Sequence, residues 1–391
     1  MKKIAYFSNT DFSLYNFRLK LMQEMKKLNF KVYACSPRET PYFYEKLEKE
    51  FVFKETPLKR SIDLLGGDLL YFLRIFWFCR KEKPDICHNF TIKPCIYATL
   101  AQKLAGVEKI YCTITGLGYV FEKEGFLKKI VVFLYKIAAK KTEKITFQNP
   151  DDRDLFISLG IIPKEKTKLI KSSGVDLEYF SKDKIKKEEK EKIIKEFNLE
   201  NKIVITLIGR MLYQKGVADF ARAAEIIKKK AVDTRCQQQK NVEFLLVGPL
   251  DLENPSGVPE EKIKEWDSKG FVKYVGERRD IRELLSVSDV FTLPANSGEG
   301  VPKILLEAGS MELSLVTTDV SGCREVVKDS VNGFVIQPNN SELLAEKIEQ
   351  LINNEEKRKI FGKKSRELVK KEFSDKKVVK ETINMYNLLK L

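Results

Sequence analysis

Short apolar runs rich in β-branched residues alternate with longer stretches of helical period along the whole chain. That alternation is expected of parallel sheets covered by helices on both faces. Residues 4–7 predict a first strand, and Leu14, Phe17, Leu21, Met25 and Leu28 then recur every three or four positions as one face of a helix. Residues 32–35 follow as a strand stopped by Pro37, and further strands are expected over 85–88, 110–115 and 145–148, with helical stretches around 91–105 and 126–141. The alternation pauses between about 172 and 200, where residues 182–192 are almost wholly charged. It restarts with strands at 203–208, 244–247, 272–275, 290–294 and 315–318. The pattern therefore predicts two α/β domains, 1–175 and 201–372, a charged linker over 176–200, and a terminal helix over 373–391 that is free to cross back to the first domain. Ligands of such sheets bind in the loops at the carboxyl ends of strands, so the search for chemistry starts there.

Composition mainly excludes. The 391 residues, 43% hydrophobic and 32% charged, suffice for two cores. The first apolar run is too short for a secretory signal, and the most apolar stretch, 64–79, carries Asp68 and Arg74 and falls short of the ~20 residues of a membrane span. A cytoplasmic protein is expected. Cys35, Cys79, Cys87, Cys95, Cys112, Cys236 and Cys323 form no Cys-x-x-Cys pair, so they read as buried thiols rather than a disulfide framework or a zinc site. His88 is the sole histidine, which rules out multi-histidine metal sites. The net charge of +15 is uneven: residues 1–170 hold 31 Lys and Arg against 19 Asp and Glu, and residues 171–391 hold 40 against 37. A basic first half suits an anionic partner, a phospholipid surface or a nucleic acid, or it reflects lysines spread over solvated faces. No basic helix with base-reading side chains and no stacking motif supports nucleic acid, which is not expected as a partner.

In the second half, Glu299, Gly300, Val301, Pro302, Lys303, Ile304, Leu305, Leu306 and Glu307 follow a strand and open a helix, with Pro302 suited to its first turn. A helix start preceded by Gly300 and Val301 is a ready anion site. Arg210 and Lys215 lie in another strand-to-helix loop, 209–216, and together these loops offer what a leaving diphosphate needs without a metal. Asp152 and Asp154 match an Asp-x-Asp metal motif, but just after Pro150 they read as acids at a helix start, and no metal is predicted.

The run 299–308 (EGVPKILLEA), with 318–325 (TDVSGCRE) and 332–334 (NGF), resembles the donor-site signature of glycosyltransferase family 4. The resemblance extends through Tyr15-Asn16-Phe17-Arg18, residues 89–94, 115–121 (TGLGYVF), 147–153 (FQNPDDR) and 173–176 (SGVD) to the branch that builds capsule, O-antigen and N-glycan precursors. It implies the GT-B fold, two Rossmann-like doubly wound domains facing a central cleft, and a retaining, metal-independent hexosyltransferase. The implied donor is a nucleotide sugar, a UDP-sugar with an N-acetylhexosamine. The implied acceptor is a polyprenyl-diphosphate-linked saccharide, with a soluble or lipopolysaccharide-core acceptor as the alternative and a GT-B epimerase as a more distant one. No cofactor is implied.

Carried over, Arg210 and Lys215 would bind the diphosphate, Glu299 the donor-sugar hydroxyls and Glu307 the ribose. Gly209, Gly248, Tyr274, Gly300, Val301 and Pro302 would complete the donor site, and the catalytic set would be Glu299, Arg210 and Lys215. Asn16, Arg18, His88, Lys93, Thr115 and Gly116 are the candidates for the acceptor; His88 either binds it or is a buried strand-end histidine with its hydrogen bond satisfied, and Arg18 either meets an anionic acceptor or is a solvated surface cation. Many family members carry a histidine where this chain has Thr115, so the departing phosphate becomes the expected base. The loop 8–13 lacks the glycines often found there, and its value for phosphate binding is open. A peripheral place on the inner membrane face is expected. Residues 126–141, with lysines flanking an apolar core, either touch the membrane or simply pack on the sheet, whereas 69–77 is expected to pack.

Overall fold

The apolar runs become parallel strands buried on both faces. The computed structural model describes residues 1–58, 66–122, 125–234 and 241–388. Cys236 and the first two residues of the 64–79 stretch lie outside them, and the other six cysteines are buried. The chain divides into two units, Met1–Gly174 with Asp375–Leu391, and Val175–Ser374.

Among the described residues the first unit has a seven-stranded sheet of β1 (Lys3–Phe7), β2 (Lys31–Ser36), β3 (Val52–Glu55), β4 (Ile86–Phe90), β5 (Lys109–Ile114), β6 (Lys144–Phe147) and β7 (Thr167–Leu169). Its spatial order is β3-β2-β1-β4-β5-β6-β7, so the winding reverses between β1 and β4. Ile4, Ala5, Tyr6 and Phe7 are all buried because β1 is covered on both faces. On one face pack the helices Asp11–Lys27 and Asp375–Met385, around Tyr6, Leu14, Met22, Met25 and Tyr386. On the other lie Gly67–Glu82, Thr99–Leu104 and Phe126–Ala139. Thr10 caps the first of these helices by accepting the Ser13 amide at 3.0 Å. The carboxylate of buried Asp11 accepts the amides of Glu39 and Thr40, which ties the loop after β2 to that helix.

The second unit has a six-stranded sheet of β8 (Ile203–Ile208), β9 (Val242–Val247), β10 (Lys273–Tyr274), β11 (Val290–Leu293), β12 (Ser314–Thr318) and β13 (Gly333–Ile336), in the order β10-β9-β8-β11-β12-β13. Its reversal lies between β8 and β11. The charged stretch expected as a linker is instead built into this unit. Residues Lys187–Phe197 form a helix that buries Ile193 and packs on Ile281–Val287. Its acids are used structurally: Glu196 pairs with Arg278 at 2.5 Å and Glu189 with Arg282 at 3.4 Å.

Asp152 lies in the first turn of helix Pro150–Ser158, whose N-cap Asn149 accepts the Asp152 amide at 2.8 Å. Burial pushes its carboxyl up to about 7, while Asp154 is exposed and pairs with Arg153. Among the described residues no helix is long and apolar enough to cross a membrane.

The sole histidine belongs to the core of the first unit. His88 Nδ1 is 2.7 Å from the Tyr386 hydroxyl and Nε2 is 2.7 Å from Thr113 Oγ1, with the ring stacked on Phe90. Burial, reinforced by the charge of Arg18, pushes His88 well below the usual imidazole range, so the ring is neutral. Both nitrogens are consumed within the fold, which is the buried, hydrogen-bonded alternative for this residue rather than the acceptor site. Removing the Tyr386 hydroxyl leaves a buried ring nitrogen without its partner, at a cost of about 1–3 kcal/mol. Thermal unfolding of Tyr386→Phe should therefore show a melting point lower by several degrees, whereas an unchanged value would mean that the histidine is not held through this bond.

Candidate functional site

The residues expected to hold a diphosphate converge at the reversal of the second sheet. The loop after β8 carries Gly209, Arg210 and Lys215 and ends in a single helical turn, Tyr213–Lys215, closed by Gly216. The loop after β11 carries Asn296, Glu299, Gly300, Val301 and Pro302. Asn296 joins the two: its amide donates to the Gln214 carbonyl at 2.9 Å and its side chain to that of Tyr213 at 3.2 Å. Gly216 has φ 72°, and a Cβ there would stand 1.9 Å from the Pro294 carbonyl oxygen, so only glycine lets the loops close up. Gly322, in the loop after β12, has φ 82° and presses in the same way on the backbone of Glu299 and Gly300. The Glu299 amide donates to the Ser321 carbonyl at 2.9 Å.

The result is a direct ion pair between Lys215 Nζ and Glu299 Oε1, contributed by the loops of two adjacent strands. Both side chains are largely buried. Arg210, half exposed, pairs with Asp251 at 2.6 Å. Asp251 was not anticipated. Its only sequence signal is an acid in the loop after β9, a signal shared by many surface acids.

The helix expected to begin at Pro302 begins one residue later, as Lys303–Ser310 with Pro302 at its N-cap. Gly300 and Val301 lie in the loop ahead of the helix. Glu307 lies on this helix, 3.9 Å from Lys303. Burial pushes its carboxyl up to about 7, against the opposing pull of Lys303. At the edge of the same strand-end surface, the Gly209 amide donates to Val247 at 2.9 Å, the Gly248 amide to Gly276 at 2.8 Å, and the Tyr274 hydroxyl to the Gly248 carbonyl at 2.9 Å. The structure thus brings Gly209, Gly248 and Tyr274 together around the loops that hold Arg210 and Lys215.

The candidates in the first unit do not form one such cluster. Lys93 is paired with buried Asp68 at 2.5 Å. Asn16 donates to the Phe12 carbonyl within its own helix. Thr115 and Gly116 follow β5, and Gly116 has φ 134°. Arg18 is buried, with its guanidinium 4.2 Å above the centre of the Phe90 ring at the end of β4.

The chain resembles known proteins over most of its length. Residues 3–149 match the family described as glycosyl transferase 4-like, and residues 189–368 match glycosyl transferases group 1. The chain is 28% identical over 364 residues, 91% of each chain, to the N,N'-diacetylbacillosaminyl-diphospho-undecaprenol alpha-1,3-N-acetylgalactosaminyltransferase of Campylobacter jejuni. It is 31% identical over 285 residues, 72% of this chain and 70% of the relative, to the UDP-Gal:alpha-D-GlcNAc-diphosphoundecaprenol alpha-1,3-galactosyltransferase of Escherichia coli. The fold is similar to that of Anabaena HepE in complex with UDP and glucose, with a TM-score of 0.80 at 18% identity over the whole of both chains. Two doubly wound domains, the two family matches and these relatives give one conclusion: the chain has the GT-B fold and belongs to glycosyltransferase family 4.

Proposed function

We propose that this glycosyltransferase moves a sugar, an N-acetylhexosamine, from a UDP-sugar to a polyprenyl-diphosphate-linked saccharide, with retention of anomeric configuration and without a metal. The observation that carries the reading is the Lys215–Glu299 ion pair at the sheet reversal of the second unit, with Arg210 on the same loop as Lys215. Relatives named for undecaprenyl-diphosphate acceptors support the lipid-linked substrate. In the proposed reaction the bond between the anomeric carbon and the diphosphate oxygen breaks. The acceptor oxygen bonds to the same face of that carbon, and its proton passes to the departing diphosphate. Arg210 and Lys215 exchange their carboxylate partners for phosphate oxygens and stabilise the charge that develops there. Glu299, released from Lys215, accepts hydroxyls of the donor sugar. With Thr115 where a histidine is common, the phosphate itself serves as base.

In Glu299→Ala, transfer should fall at least about 100-fold. UDP affinity should hold or increase, because Lys215 loses the carboxylate that competes with the diphosphate. Full transfer activity would sink the sugar-positioning role. Glu307, assigned to the ribose, gives a pH test. Its carboxyl, raised to about 7, is mostly protonated at pH 6 and mostly ionised at pH 8. The ionised form accepts two hydroxyls, so UDP-sugar affinity without acceptor should rise up to about tenfold across that interval. The rise should vanish in Glu307→Gln, and an identical rise in that variant would remove Glu307 from the ribose.

The expected peripheral membrane position finds support on one layer of the first unit. Helices Gly67–Glu82 and Phe126–Ala139 both pack on the segment Pro94–Ala98. The helix carrying residues 69–77 packs on the sheet as expected, through Tyr71, Ile75 and Cys79, and its other face leaves Leu69, Leu70, Leu73 and Trp77 exposed, Trp77 by 67%. On the other helix Phe126, Leu127 and Phe133 are exposed, with Lys129 and Lys140 beside them. Arg74, Arg80 and Lys81 add positive charge on the first. This combination of large apolar groups and cations suits an anionic bilayer surface. Co-sedimentation with phosphatidylglycerol vesicles should exceed that with phosphatidylcholine, weaken with salt, and fall about tenfold in Trp77→Ala/Phe133→Ala. Equal partition into both vesicle types would remove the bilayer as partner.

A further inference from the structure

Arg18 is a buried cation with no counter-charge. The residue is 7% exposed, its Nε is buried without a hydrogen-bond partner, and its guanidinium rests on the Phe90 ring. Among the described residues no carboxylate pairs with it, and the titratable groups facing it are the neutral Tyr6, Tyr386, Cys95 and His88. Burial pulls it down from the ordinary guanidinium value to about 10, so it remains charged at neutral pH. An isolated buried charge is destabilising, and such a group persists where a ligand completes it.

Its place in the fold gives that ligand a route. Arg18 sits on the helix after β1 and covers the last residue of β4, at the reversal of the first sheet, where ligands of doubly wound folds bind. The same strand end carries a second irregularity. Thr91, directly after Phe90, has φ 69°, a left-handed conformation that a β-branched residue rarely adopts, and its buried Oγ1 has no partner. A guanidinium fork and a hydroxyl are the donors that an oxyanion takes.

We infer that Arg18, with Thr91 at the same strand end, forms an oxyanion site in the first unit that receives a phosphate of the lipid-diphosphate acceptor. The acceptor assignment rests on the function proposed above; the anion site itself does not. It separates the two diphosphates of the reaction, the donor's on Arg210 and Lys215 and the acceptor's on Arg18.

The test uses the full-length protein, Arg18→Met to remove charge at similar volume, and Arg18→Lys to keep charge without the fork. With UDP saturating, inorganic pyrophosphate should raise the melting temperature of the wild type by a few degrees and leave that of Arg18→Met unmoved. Without ligand, Arg18→Met should melt no lower than the wild type, because the charge it removes is uncompensated. In transfer assays KM for a polyprenyl-diphosphate saccharide should rise at least about 30-fold in Arg18→Met and less in Arg18→Lys, with the UDP-sugar KM within about twofold. The penalty should be absent when the same saccharide is carried on an uncharged alkyl chain. A pyrophosphate shift lost in Arg18→Met with no turnover of any lipid-linked acceptor would keep the anion site and overturn the proposed function. Equal shifts in wild type and variant would overturn the site. A lost shift with unchanged acceptor KM, or an equal KM penalty on both acceptors, would overturn the acceptor assignment. Should Arg18→Met fail to fold, Arg18→Lys carries the same comparison.

Discussion

The ion pair between Lys215 and Glu299 sets the geometry on which the candidate site depends. The two residues are 84 positions apart and meet only because β8 and β11 lie side by side where the sheet reverses its winding. Each is carried on a loop with little freedom. Gly216 must lie against the Pro294 carbonyl, and Gly322 against the backbone of Glu299 itself. A side chain at either glycine would push one member of the pair away from the other. The rigidity of the sheet is thus passed to two charged groups through backbone contacts, which leave less slack than side-chain packing.

The two units use the same winding but treat charge differently. At the reversal of the second sheet, positive charge is balanced within the protein, Lys215 by Glu299 and Arg210 by Asp251. A diphosphate arriving there competes with carboxylates, and the exchange lowers the cost of burying either set of charges. At the reversal of the first sheet, Arg18 lies over the Phe90 ring and pairs with no carboxylate among the described residues. His88, which feels the charge of Arg18, is bonded at both of its nitrogens and offers it nothing.

Much of this was legible in the sequence, for a physical reason. Strands β1, β4, β5, β8, β11 and β12 are central and buried on both faces, and most of them leave short runs rich in apolar and β-branched residues. The strands that left no clear signal are β3, β7 and β13, which lie at sheet edges and are three or four residues long. An edge strand needs little apolar sequence, because one neighbour supplies its pairing. The charged stretch before β8 misled for a related reason. A helix that buries only Ile193 among its fully enclosed residues looks like a solvated linker, although Arg278 and Arg282 anchor its acids. Asp251 was hidden because its importance lies in its partner, which no local pattern announces.

His88 shows why the sequence left two readings of a lone histidine open. A single histidine beside a strand end draws attention as a chemical group, yet its neighbours Tyr6, Phe90, Tyr111 and Tyr386 form an aromatic shell with the ring inside it. Tyr386 comes from the far end of the chain, so nothing within reach of residue 88 along the sequence could reveal the bond that satisfies it. The same shell surrounds Arg18, which lies over Phe90 and faces Tyr6 and Tyr386. A charged guanidinium and a satisfied imidazole therefore share one aromatic environment. Of the two, it is the arginine, with no protein partner for its Nε, whose chemistry remains unspent.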